Sequence, residues 1–172
     1  MKRRMVLIWS LVLIVVLQAV LPASAGDSNV ATAVTGAGKF ELPDGTVIPF
    51  VYVAFKDAAG LVHGHFLQRQ PGTLYVGEVT CLTVDPVNHR AWVGGVIVYS
   101  NDPTPDHQAG DDVWFRVVDY GQDHSTPDRS TVFGFKGAAG FDTSAQYCAG
   151  QPWPAGDART WPVTHGDIHV RD

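Results

Sequence analysis

From residue 39 onward, apolar and polar positions alternate over short runs that end in turn-forming residues, the pattern of half-buried strands. The strongest run is residues 46–56 (T-V-I-P-F-V-Y-V-A-F-K), dense in β-branched and aromatic side chains. A shorter run at 39–42 precedes it across Pro43-Asp44-Gly45, and Asp57-Ala58-Ala59-Gly60 predicts a hairpin turn into a return strand at 61–69. Further strands are predicted at 73–84, 90–99, 113–119 and 130–135, with a weakly alternating closing strand at 166–170. Residues 100–111 read as a long polar loop. Pro49 cannot donate to a ladder, so its strand lies at an edge there or begins after it. The runs 50–55 and 91–99 are apolar on both faces, which implies burial on both sides or a closed sheet with one face covered. No stretch beyond the N-terminal region shows a helical period with caps, and the Gly/Pro-rich residues 137–162 receive no assignment. The expected fold is all-β: a single antiparallel β-sandwich or β-barrel of about seven to nine strands, with a loop-rich C-terminal segment.

The first residues follow another rule. Lys2, Arg3 and Arg4 are followed by an almost unbroken apolar run, then Pro22 and the small-residue triplet Ala23-Ser24-Ala25. This is the layout of a cleavable signal peptide, with cleavage expected after Ala25. The apolar run is at the short end for a membrane span, which disfavours the alternative of an uncleaved anchor. Residues 1–25 are therefore expected to be removed and 26–172 to form one secreted, extracellular domain. The signal takes three of the 12 basic residues and none of the 17 acidic ones, so the mature charge moves from −5 to −8. An acidic surface without a Lys/Arg cluster repels phosphate backbones, so nucleic acid is excluded as a partner, as is a membrane once the signal is cleaved.

Export changes the meaning of the two cysteines. An even number in an oxidising compartment predicts a Cys81–Cys148 disulfide, the alternative being two buried free thiols.

The succession G-A-G-K-F, V-Y-V-A-F, G-L-V-H-G-H-F, G-E-V-T-C-L-T-V and R-A-W-V-G-G-V, followed by Val118-Asp119-Tyr120-Gly121, resembles a group of short exported bacterial β-domain proteins. The resemblance covers most of residues 36–135. It implies a β fold and export, and it implies no reaction.

Gly36-Ala37-Gly38-Lys39 fails as a phosphate loop: Ala33 stands where the first glycine is needed and Phe40 where Ser or Thr is needed. These glycines are expected in a turn or in tight packing against Phe40. There is no G-x-S-x-G, H-E-x-x-H or C-x-x-C, so serine-hydrolase, zincin and thioredoxin chemistry have no support. His63 and His65 would share one face of a strand, and two imidazoles so placed suit a divalent transition metal, with Glu78 as a third ligand. The alternative is a solvent-facing pair. Seven aspartates crowd residues 102–128, and Asp119 and Asp123 are the candidate calcium ligands, against the plainer reading that Asp builds turns. Trp153 and Trp161, each followed by proline, are candidates for stacking on a ligand or for pinning a long segment onto the sheet. Trp92 and Trp114 lie within strands and are expected in the core.

Two function classes follow. The first is a non-catalytic extracellular domain that binds a ligand or surface component, or serves structurally. The second is a secreted enzyme with a metal-assisted site, built on His63 and His65, in a barrel mouth or cleft. The missing nucleophile motifs favour the first, and no cofactor beyond a divalent metal ion is implied.

Overall fold

The computed structural model describes residues 30–121 and 125–172. The signal-peptide assignment and Asp123 lie outside the described residues. Eight strands run in chain order around one closed antiparallel barrel: β1 (Val30–Glu41), β2 (Val47–Asp57), β3 (Val62–Gln70), β4 (Thr73–Asp85), β5 (Arg90–Ser100), β6 (Asp112–Val118), β7 (Arg129–Ser130) and β8 (Trp161–Arg171). β8 pairs back onto β1, with Val34 opposite Val170 and Gly36 opposite Ile168, and so closes the sheet. The choice between sandwich and barrel is thus settled as a barrel.

Strand alternation explains the core. On β2, Ile48, Phe50, Tyr52 and Ala54 are buried while Val47, Val51 and Val53 are exposed. The rings of Phe40, Phe50, Tyr52, Phe66, Tyr75, Phe115 and Phe133 pack against one another across the interior. The inside is therefore a packed apolar core rather than a channel. Pro49 pairs with Lys39 on β1, while the ladder to β3 begins only at Phe50, so the missing N–H removes no bond on that side.

β1 begins well before residue 39. Its sequence (V-A-T-A-V-T-G-A-G-K-F-E) is poor in the bulky residues that mark strands, and close approach explains why. A Cβ on Gly36 would stand 2.5 Å from the Tyr52 ring, so the glycine makes room for an aromatic on the neighbouring strand. Gly36 packs against Tyr52, not Phe40, and lies mid-strand, not in a turn.

The expected strand at 130–135 is a two-residue strand followed by a break. Residues 131–134 still run beside β6, with Gly134 bridging Trp114, but the register slips by one residue. Gln68, 1% exposed inside the barrel, supplies the missing partners. Its Nε2 donates to the Thr131 carbonyl (3.1 Å), and its Oε1 accepts from the Phe133 N–H (2.9 Å).

Residues 137–160 cover the outer face of β5 and β6. They contain one short helix, α1 (Ser144–Gly150), which corrects the expectation of no capped helix. Thr143 caps it by accepting from the Gln146 N–H, and the Gln146 side chain accepts from the Asp142 N–H. The Cys81–Cys148 disulfide joins α1 to β4, as expected. Gly94 on β5 lets α1 sit close, since a Cβ there would meet both the Cys81 Sγ and the Ser144 Cβ at 2.7 Å. Trp92, Trp114 and Tyr147 form a second small core outside the barrel. Residues 91–95 of β5 are consequently buried on both faces, whereas residues 50–55 of β2 are covered only from within.

Candidate functional site

The residues chosen from the sequence are dispersed. His63 and His65 do share the outer face of β3, and Glu78 is the register partner of His65. The His63 ring stacks on Phe55 with centroids 5.3 Å apart, and its Nε2 lies 3.4 Å from the Asp57 carboxylate. Among the described residues no three His, Cys, Asp or Glu side chains are grouped to hold a metal ion.

The aspartates crowd in sequence but not in space. β6 separates Asp111 and Asp112 from Asp119 and Asp128, and its seven residues span roughly 20 Å. Both oxygens of Asp119 are taken by backbone, accepting from Gly121 N–H (2.7 Å) and Val170 N–H (3.0 Å). Asp128 accepts from Tyr120 N–H (2.8 Å) and Ile168 N–H (2.9 Å). The two carboxylates thus fasten the loop after β6 to β8, where the two-residue β7 offers few ladder bonds.

Burial first, then the neighbouring Asp167, push the Asp128 carboxyl up to about 6. Because this value is raised in the folded protein, the native state holds the proton more tightly than the unfolded chain. The contribution of Asp128 to stability therefore falls as pH rises from about 4 to about 6. Asp167→Asn is expected to lower the Asp128 midpoint and flatten that part of the stability profile. The carboxyl carbon shift of Asp128 across a pH titration measures it; an unchanged midpoint would assign the whole shift to burial.

At the other end of β6, one constellation had no signal in the sequence. The Tyr75 hydroxyl donates to Asp102, and His107 Nδ1 lies 2.8 Å from the same carboxylate. The Tyr75 and His107 hydrogen bonds hold Asp102 well below the usual carboxylate range. Burial and that carboxylate raise Tyr75 above its ordinary value. The His107 ring stacks on Phe135 at 3.7 Å, so the group closes the loop at 100–111 over this end of the barrel.

The site with unspent chemistry lies under the outer cover. Only nine basic residues lie beyond residue 25, and four of them, Arg90, Arg116, Arg129 and Arg159, lie in or against this C-terminal segment. Arg129 donates to the carbonyl and hydroxyl of Thr160, and Arg90 pairs with Asp157 at 3.4 Å. Asp157 also accepts from Trp153 Nε1 and Tyr120. Its carboxyl is lowered, first by Tyr120, then by Trp153 and the arginines. Trp153 therefore has its ring beneath Arg90 (4.4 Å) and its edge on Trp92, pinning the segment.

Arg116 differs from its neighbours. It is 5% exposed and forms no ion pair among the described residues. One amino group donates to the Ala158 carbonyl (2.7 Å), and its Nε has no partner. Its charge and hydrogen bond act on the Tyr147 hydroxyl, partly offsetting the rise that burial causes there. Its guanidinium lies over the Trp153 ring, 5.4 Å from the centroid. Arg116 also lines a cavity of about 160 Å³, walled by Trp114, Tyr147, Trp161, Phe133 and Gly134 and by the exposed Arg159. No carboxylate lines it. Of the two candidate stacking residues, Trp161 borders this cavity and stacks on Phe40, while Trp153 does not line it.

Compared with protein families, curated proteins and solved structures, the chain matches none. Two wall residues, Ala139 (φ 57°) and Arg159 (φ 63°), hold left-handed backbone conformations that cost a side-chain-bearing residue on the order of 1 kcal/mol or more each. The cavity is thus lined by a buried arginine with an unpartnered Nε and by aromatic walls, and no carboxylate lines it.

Proposed function

We propose that the chain is an exported, non-catalytic binding domain that takes a small organic carboxylate in the Arg116 cavity. The observation that carries this reading is a buried arginine, its Nε unpartnered, among the residues that line an aromatic-walled cavity. Burying a charge without a counter-ion is costly, and an anionic ligand offsets that cost. A carboxylate accepts hydrogen bonds from adjacent guanidinium donors in one plane. The volume, about 160 Å³, matches a cavity that takes a single benzene-sized ring. Export is supported by the disulfide, which persists outside reducing compartments.

Benzoate is the first probe, with inorganic phosphate as the charge-only control. Calorimetric titration should show saturable benzoate binding, and Arg116→Met should weaken it by roughly 10- to 100-fold, the worth of a charged hydrogen bond. The same variant should be as stable as the parent or more so, because an apolar side chain replaces an uncompensated charge. No saturable binding by the parent, together with a strongly destabilised Arg116→Met, would assign Arg116 to holding the Ala158 carbonyl and overturn the proposal.

A further inference from the structure

The outer face opposite the covered one carries an ordered pattern. Ala37, Val51, Leu67, Val76 and Tyr99 are successive register partners across β1 to β5 and form one apolar row. Val51 is 53% exposed and Tyr99 52%, which is unusual for five apolar positions in line on a protein surface. Two residues further along the barrel axis, on the same face, lies a row containing Lys39, Pro49, Arg69 and Leu74. Two residues the other way lies the row Thr35, Val53, His65, Glu78 and Val96. An apolar stripe therefore runs between a basic row and a row carrying Glu78. Neither Arg69 nor Glu78 forms an ion pair among the described residues.

We infer that this face binds a second copy of the same chain, with the two-fold axis lying along the Val51–Leu67–Val76 row. Such an axis leaves the apolar row facing itself and lays the basic row of one copy over the Glu78 row of the other. Arg69 then meets Glu78 twice, once on each side of the axis. A two-fold interface needs one patch complementary to itself, and a stripe flanked by opposite charges meets that condition. An added peptide strand is not the occupant, because β1 to β5, which carry the row, are each paired on both sides. A bilayer is a poor fit as well, since the stripe is narrow and Lys39, Arg69 and Glu78 stand beside it on a convex wall. A contact of this width is small and belongs with weak, reversible associations.

Sedimentation equilibrium of the purified protein, from about 1 to about 500 µM, tests the assignment. A reversible monomer–dimer equilibrium is expected. Val51→Asp should abolish it, and Arg69→Glu or Glu78→Arg alone should weaken it at least tenfold. The double exchange Arg69→Glu/Glu78→Arg should restore it, because the pair is remade with its signs reversed. All three substituted positions lie on the exposed barrel wall, and circular dichroism verifies that each variant is folded. A monomer at every concentration overturns the inference, as does a dimer indifferent to Val51→Asp, which would use another face. Failure of the double exchange to restore the dimer overturns the proposed axis.

Discussion

Replacing Cys81 and Cys148 by alanine lowers the stability of the domain by about 4 kcal/mol, which moves the thermal midpoint down by roughly 8–16 °C. The effect comes from the length of chain the bridge closes. The cysteines are 67 residues apart, so the cross-link removes much of the disorder otherwise open to the unfolded chain. The bridge also has a local task. α1 is seven residues long, too short to hold together by its own hydrogen bonds, and the bridge joins it to β4. Tyr147, beside Cys148, forms one wall of the Arg116 cavity, so the cavity should loosen before the barrel opens. Circular dichroism melts of the double variant against the parent measure the global effect. A midpoint shift of only a degree or two would show that the barrel and its cover hold without the bridge.

Gln68→Leu is the second large effect, expected to cost about 2–4 kcal/mol. Leucine is close to glutamine in size, so little of this comes from lost packing. The cost lies in the Thr131 carbonyl and the Phe133 N–H, both buried against Gln68, which would lose their partners together. Their positions make the loss worse. The ladder between β6 and the following chain slips there, so no strand stands ready to take over these bonds. Phe133, held by this contact, packs on Phe66, Tyr75 and Phe115, so its displacement would disturb the central aromatic cluster. Urea unfolding gives the magnitude. Hydrogen exchange at the Phe133 amide distinguishes a local opening, seen as faster exchange at that amide alone, from global destabilisation. Unfolding within 0.5 kcal/mol, on the order of a neutral surface change, would mean that water takes over both bonds.

The barrel was legible where strands alternate and turns carry Asp, Pro and Gly. Thr46 accordingly follows an Asp44 turn whose carboxylate accepts its N–H, and Asp57 does the same for Ala59 and Leu61. Three features escaped for separate reasons. β1 is built from small residues because a neighbouring ring fills the space above Gly36, and propensity cannot register a neighbour. The run at 130–135 has a strand's composition, but a glutamine 62 residues before Ser130 decides its hydrogen bonding. α1 did leave a mark, the Thr143-x-x-Gln146 capping pair, hidden by the glycines and prolines around it. The candidate site was the least visible. Arg116 reads in sequence as one charge in an apolar strand, and contacts with residues 137–160, such as its bond to the Ala158 carbonyl, are not visible there. The histidine pair and the aspartates were conspicuous by spacing, yet spacing along the chain did not bring three ligands together.

The second small core has a spectroscopic consequence. Of the four tryptophans among the described residues, Trp92, Trp114 and Trp153 belong to this core, while Trp161 lines the cavity and also packs on Phe40 of the barrel. The barrel interior is lined instead by phenylalanine and tyrosine. Indole emission therefore watches mainly the cover and its cavity while peptide-bond absorption watches mainly the sheet, and Arg116 sits among the emitters. Detachment of the cover, or a ligand entering beneath it, should alter the light this protein gives out while the sheet signal stays as it was.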